Sequence, residues 1–228
     1  SLGSTHAQLG RVLAAQGAVD AALAEFRESL RLRPDDSYTR RQLGDLLCDA
    51  GQLAEAEICF RRVTREQPES AEVAMRLADV LQSQHKLVES IEHYERAIAL
   101  DAKLANAHNN LGLIFRRQGR HDEAILAFRR ALDLNERFTA ARVNLSRSLN
   151  DAGREDEAVE AAHEALRIDR DSLPARMQLG NLYFQSQNYE RAIELWQGVL
   201  LLDTDSVDAR LWLGVALDQA GRPREALA

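Results

Sequence analysis

The sequence repeats itself every 34 residues, and that period constrains the fold more than any other feature. With the first unit set at residues 3–36, the others fall at 37–70, 71–104, 105–138, 139–172, 173–206 and a partial 207–228. Leucine occupies one column in every unit: Leu9, Leu43, Leu77, Leu111, Leu145, Leu179 and Leu213. The next column holds Gly10, Gly44, Ala78, Gly112, Ser146, Gly180 and Gly214, all small. A third column, further on, reads Gly17, Gly51, His85, Gly119, Gly153, Gln187 and Gly221. Ten of the twelve glycines fall into these two columns, so they mark fixed places in a unit. Units this short cannot bury their apolar faces alone and must stack on one another.

Residues 105–138 are the most legible copy. Ala107, Leu111, Ile114 and Phe115 recur at helical spacing and form one apolar stripe. Gly119 breaks the run. Asp122 and Glu123 then suit the first turn of a second helix, where negative charge meets the positive end of the helix dipole. Ala124, Phe128, Ala131 and Leu132 form the second stripe. Gly112 and Ala124 are small where two helices would cross, and Phe128 fills the space beside them. The second helix repeats through Ala22, Ala56, Ser90, Ala124, Ala158, Ala192 and Ala226, followed four places later by Phe26, Phe60, Tyr94, Phe128, Ala162 and Trp196. With Ala162 in an aromatic column, the fifth unit is expected to pack most loosely. Pro34 and Pro68 fall at junctions between units, and Pro174 and Pro223 at helix starts, where proline is tolerated.

Charge and composition exclude several functions. The formal net charge is −7, the wrong sign for a protein that grips nucleic-acid phosphates. The local arginines, Arg116, Arg117, Arg120, Arg129 and Arg130, alternate with Asp122, Glu123 and Asp133 and read as a solvated face. No apolar run is long enough to cross a membrane. Cys48 and Cys59 match no metal or redox spacing and favour a reducing, cytoplasmic compartment. The histidines His6, His85, His93, His108, His121 and His163 form no zinc-protease pattern, and no glycine-rich phosphate loop or nucleophile–base set occurs. The expectation is therefore a non-enzyme with no catalytic residue, cofactor or metal.

In order, Leu111, Gly112, Phe115, Gly119, Ala124, Phe128 and Ala131 match the signature of the tetratricopeptide repeat, and the chain resembles that family over essentially its whole length. The resemblance implies an all-α, right-handed superhelical solenoid of helix-turn-helix repeats. First helices would line a concave groove, second helices the convex face, and the groove would hold a protein or peptide partner. The family's junction proline is kept at Pro34 and Pro68 but replaced by Ala102, Glu136, Arg170 and Thr204.

Partner-facing residues are sought on the first helices. The column before the leucines reads Gln8, Gln42, Arg76, Asn110, Asn144, Gln178 and Trp212. An amide carries both donor and acceptor, so one per unit suits capture of an extended peptide backbone. Asn110 and Asn144 are similar to the asparagine ladder in the repeats of O-linked N-acetylglucosamine transferase and related bacterial proteins, where asparagines hold the substrate backbone. The same amides equally suit contacts between adjacent first helices, and the sequence leaves the two open. Asn109, Arg116, Arg117 and Arg147 complete the candidate set. Along the face, Asp45, Asp49, Glu72 and Asp79 give way to Arg116, Arg117 and Arg147 opposite Asp151. Met177, Phe184, Leu211, Trp212 and Val215 follow, so a bound segment would read basic, then acidic, then apolar. The paired lysine and asparagine of the family's chaperone-tail clamp are missing.

The seventh unit stops partway through its second helix. Leu213, Ala216, Leu217 and Ala226 are expected to be only partly covered, with Leu211 and Trp212 adding exposed apolar area. That leads to the expectation of a longer protein, or of self-association through this end. Two functions compete with a peptide-binding scaffold: the substrate-recognition arm of a glycosyltransferase-like enzyme with its catalytic domain outside residues 1–228, and a self-assembling structural scaffold.

Overall fold

The computed structural model describes residues 2–226, and every regular element among them is an α-helix. Each repeat contributes a helix pair: α1 (Leu2–Ala15) with α2 (Val19–Leu32), α3 (Ser37–Asp49) with α4 (Leu53–Glu66), and α5 (Ala71–Ser83) with α6 (Leu87–Leu100). They are followed by α7 (Ala105–Arg117) with α8 (His121–Leu134), α9 (Thr139–Asp151) with α10 (Glu155–Ile168), and α11 (Leu173–Gln185) with α12 (Tyr189–Leu202). The last pair is α13 (Val207–Gln219) with α14 (Pro223–Ala226). This is the all-α helix-turn-helix solenoid that the period requires. The chain divides into two compact units, Ser1–Ala107 and His108–Ala228.

The columns keep their assigned work. In the fourth repeat both stripes are buried, with Ile114, Ala124, Phe128 and Ala131 at 0% exposure. The small column exists because the aromatic column lies against it. A Cβ added at Gly44 would sit 2.9 Å from the Phe60 ring, at Gly112 2.8 Å from Phe128, and at Gly180 2.6 Å from Trp196. At Gly214 the same Cβ would meet nothing within 4 Å. The fifth repeat is closed, against the expectation of loose packing. Ser146 and Ala162 are both fully buried, and the Ser146 hydroxyl donates to the Ala158 carbonyl at 2.7 Å. Two small residues let the helices meet where the other repeats interpose a ring.

The third column marks the turn. Gly17, Gly51, Gly119, Gly153 and Gly221 have φ from 71° to 76°, and His85 and Gln187 take the same left-handed conformation at 60° and 61°. A side chain there costs roughly 1 kcal/mol or more, since Cβ crowds the following carbonyl.

Junctions without proline are held another way. Asp101, Asn135, Asp169 and Asp203 end their helices, and the Oδ1 of each accepts from the backbone N–H two residues on, at 2.9 to 3.1 Å. This Asx turn does the work of a fixed proline φ. A guanidinium on the following first helix adds a latch. Arg142 donates to the Glu136 carbonyl at 2.8 Å, Arg176 to Arg170 at 2.7 Å, and Arg210 to Thr204 at 2.5 Å. Arg40 makes the same bond to Pro34 in the first junction.

At the far end, α13 is better covered than its position suggests. Ala216 and Leu217 are buried against Ala192, Ile193 and Trp196, because their side chains face back onto α12. Leu213 and Ala226 are half-buried there, while Leu211 and Trp212 are 60% and 40% exposed.

Candidate functional site

The candidate residues all lie on first helices. In the first unit, Gln8 is on α1 and exposed, Gln42 on α3 and Arg76 on α5 half-buried. Gln42 donates to the Tyr38 hydroxyl at 3.3 Å, while its carbonyl oxygen is buried without a partner. It borders a small cleft of ≈ 240 Å³ with Arg11, Asp45 and Asp49. Arg76 is held by the carboxylate of Asp45 on the preceding first helix, its Nε donating at 2.8 Å. Burial works against the Arg76 charge, yet the hydrogen bond and charge of Asp45 carry the guanidinium above its ordinary pKa. Arg41 pairs with Glu72 at 2.7 Å, and Asp79 accepts from the Tyr94 hydroxyl. Of the acidic groups expected to attract a basic segment here, Asp45, Glu72 and Asp79 are thus bound to groups of this chain.

The second unit brings amides together. Asn144 on α9 donates its Nδ2 to Oδ1 of Asn109 on α7 at 3.1 Å, and Asn109 donates to Asn110 at 3.1 Å. Asn109 is buried at 7% exposure, Asn110 and Asn144 are half-buried, and Gln178 on α11 is buried at 6%. The Asn144–Asn109 bond links neighbouring first helices and orients both amides. Arg116 pairs with Asp151 at 2.7 Å, and Arg117 is exposed without an ion pair.

Arg147 differs from these. It is half-buried on α9 and, among the described residues, has no hydrogen-bond or ion-pair partner. Burial, with Arg116 adding like charge, holds it below the ordinary guanidinium pKa, and Asp151 only partly opposes this. The side chain borders an open cleft of ≈ 580 Å³ between α9 and α11, with Thr139, Asn144 and Pro174 around it and Asp169 and Asp171 also in its lining, neither of them paired with Arg147. A partly desolvated guanidinium of this kind has no acceptor from the described residues and gains from one supplied by a ligand. Sequence reading placed Arg147 on this face but did not single it out. Its uncompensated state depends on Asp151 going to Arg116, which no column shows.

Two of the apolar candidates, Phe184 and Trp212, join Trp196 in an aromatic cluster. Phe184 lies 5.9 Å from Trp196 and 5.8 Å from Trp212, centroid to centroid, and the two tryptophans stack at 6.3 Å. Of the expected apolar end of the face, Met177 and Phe184 pack on the core, while Leu211, Trp212 and Val215 stay exposed. Among the described residues no group of three or more His, Cys, Asp or Glu is placed to hold a metal ion, and no helix is long and apolar enough to cross a membrane. The two thiols are not bonded to each other. Burial pushes Cys59 up to about 11 and raises Cys48 as well.

Paired helices with fixed turn, crossing and aromatic columns, carrying their polar side chains on the first helices, define a helical repeat protein. Tetratricopeptide repeat models match residues 13–80 and 149–206, 69–137, 109–172 and 207–228, and the chain belongs to the tetratricopeptide repeat family. Among solved structures, MamA is similar at 25% identity with a TM-score of 0.69, over 75% of this chain and 93% of that one. A tetratricopeptide repeat protein from Parabacteroides merdae shares the fold at 15% identity and a TM-score of 0.83, covering 99% of this chain and 89% of that one. YrrB, described as a TPR protein with an unusual peptide-binding site, has 20% identity and a TM-score of 0.62 over 81% of this chain and 95% of its own. Among curated proteins, none matches the sequence.

Proposed function

We propose that the chain is a non-catalytic interaction scaffold whose first-helix face in the second unit binds an extended peptide segment of a protein partner. The observation that carries this is Arg147, a half-buried guanidinium left without an acceptor at the edge of a ≈ 580 Å³ cleft. A peptide carbonyl or carboxylate seated there supplies the missing acceptor. Asn144 stands in the same cleft, fixed by its bond to Asn109, so little rotamer entropy remains to be lost on binding. Asn144 uses one of its two amide donors in that bond, which leaves capacity for a backbone group. Gln8, Gln42, Arg76, Asn110, Gln178, Asn109, Arg116 and Arg117 belong to the wider face, those in the first unit being committed more to internal pairs. YrrB's described peptide site makes such a use of the fold reasonable.

Backbone capture of this kind is the mode expected from the resemblance of Asn110 and Asn144 to the asparagines of O-linked N-acetylglucosamine transferase repeats, a resemblance read from the sequence alone. It extends to a recognition arm for a glycosyltransferase-like domain only if such a domain accompanies residues 1–228. Peptide arrays probed with the wild type and with Arg147→Ala and Asn144→Ala variants test the reading. The expected result is loss of most bound sequences with Arg147→Ala, by about tenfold or more in affinity. Equal binding by wild type and both variants would sink it.

A further inference from the structure

Outside the first-helix face, one column of the second helices changes sign. Read at the repeat period, the first turn of the second helix carries Glu55, Glu89, Glu123, Glu157, Arg191 and Glu225. The matching column further along the preceding second helix reads Arg27, Arg61, Glu95, Arg129, His163 and Gln197. Where both columns keep their usual residues, they meet. Arg27 pairs with Glu55 at 2.7 Å, Arg61 with Glu89 at 2.5 Å, and Arg129 with Glu157 at 3.0 Å. In the second unit each such glutamate is also held by an arginine three residues before it. Arg154 grips Glu157 at 2.7 Å, Arg222 grips Glu225 at 2.7 Å, and Arg120 grips Glu123. The position is a carboxylate position held by at least one arginine in each of these repeats, and by two at Glu157.

At the step from the fifth repeat to the sixth, the carboxylate is absent. Arg191 stands in its column, His163 stands opposite, and Asn188 replaces the preceding arginine. Tyr183 joins the two. Its column is otherwise Leu13, Leu47, Leu81, Phe115, Leu149 and Leu217. Ala161 and Ala162 keep the α10 surface low, and the Tyr183 hydroxyl reaches His163 Nε2 at 2.8 Å. Arg191 donates to the same hydroxyl at 3.4 Å, with its guanidinium carbon 5.3 Å from the ring centroid. Arg191 and His163 are both exposed, and neither has an ion-pair partner among the described residues. Two open clefts flank the cluster. One of ≈ 380 Å³ is lined by His163, Leu179, Tyr183, Arg191, Glu194 and Leu195; the other, of ≈ 300 Å³, shares Tyr183 and Arg191 and includes Glu155 and Asp156.

The geometry points to a second docking site here, in which a partner protein supplies the acidic side chain that this step of the ladder lacks. The carboxylate takes the open donors of Arg191 in a bidentate pair, beside the Tyr183 hydroxyl and His163. Leu195, half-buried in the same cleft, takes an apolar neighbour of that side chain. Glu194, Glu155 and Asp156 repel a longer acidic run, so the ligand is a single Asp or Glu between apolar residues. The site is built from α10 and α12 together with Tyr183 of α11, and it shares no lining residue with the Arg147 cleft.

The test is an NMR titration of the 228-residue chain with a blocked Gly-Leu-Glu-Leu-Gly peptide and its Gly-Leu-Gln-Leu-Gly counterpart. The expected result is saturable shifts at the Arg191 Nε–H and the His163 ring with the glutamate peptide, at least about tenfold weaker with the glutamine peptide. The swap H163R/R191E rebuilds the ladder within the chain and should abolish binding while the protein stays folded. Tyr183→Phe, which keeps the ring, should weaken it severalfold. Arg147→Ala should leave it unchanged. No saturable shift in the wild type would overturn the proposal. So would equal binding of the two peptides, binding retained by H163R/R191E, or binding lost with Arg147→Ala. Displacement of the peptide by inorganic phosphate at equal concentration would overturn the assignment to a carboxylate.

Discussion

Arg76 and Arg147 occupy first helices of the two units and are both half-buried. Burial works against the charge of each. For Arg76 the cost is offset inside the chain by Asp45, and its pKa rises. For Arg147 the neighbouring cation Arg116 adds to the cost, Asp151 is already engaged, and the pKa falls. The two units thus share one architecture and differ in what their first-helix faces leave unsatisfied. In residues 1–107 Arg76 is offset by Asp45; in residues 108–228 Arg147 has no such partner among the described residues. A binding face is marked less by how many charges it carries than by which of them lack a partner.

The sharpest check is that the shared architecture is equal in both units. Phe60→Ala and Phe128→Ala each empty a fully buried ring from the same column, and each should cost about 3–5 kcal/mol by chemical denaturation. A loss well below that in one unit alone would break the comparison at its base. Next in size are two glycines of one column in different surroundings. Gly112→Ala should destabilise by about 1–3 kcal/mol, because its Cβ would sit 2.8 Å from the Phe128 ring. Gly214→Ala, with open space around it, should stabilise by up to about 1 kcal/mol through helix propensity. The same sign for both would show that ring contact is not what selects glycine there.

The arginines then separate by assay. Arg147→Ala should weaken peptide binding about tenfold with little change in melting temperature. Arg76→Ala should leave binding unchanged and cost under about 1 kcal/mol of stability, since the pair with Asp45 is partly solvated. The reverse pattern would place the binding face in the first unit. The smallest effect concerns the two turns without glycine. His85→Gly and Gln187→Gly, one in each unit, should each stabilise by about 1 kcal/mol by relieving a left-handed side chain. Thermal melts that move in opposite directions would mean that one of these side chains does something more than turn the chain.

The fold was legible from the repeat columns because each column reports a local requirement that recurs. A ring needs a small neighbour across the helix pair, and a tight turn needs positive φ. The pairing of Gly112 with Phe128 could therefore be read before any coordinates. The proline-free junctions were visible as departures, and their remedy was present in the sequence too, as Asp101, Asn135, Asp169 and Asp203 in one column. The candidate site was legible only as a face. Asn109, Asn110 and Asn144 could be assigned to first helices, but the bond from Asn144 to Asn109 joins residues 35 apart and depends on side-chain direction.

What the sequence determined by itself is the set of repeated, short-range constraints: helix pairs, their crossing points, their turns and their order. These follow from spacing, and spacing is written in the chain. Only the tertiary structure decided which polar groups are already satisfied. Asp151 goes to Arg116, Asp45 to Arg76, and Arg147 and Arg191 are left over. That outcome rests on competition among neighbouring side chains for the same partner, settled by differences of an ångström or two in reach, and no single column carries that information.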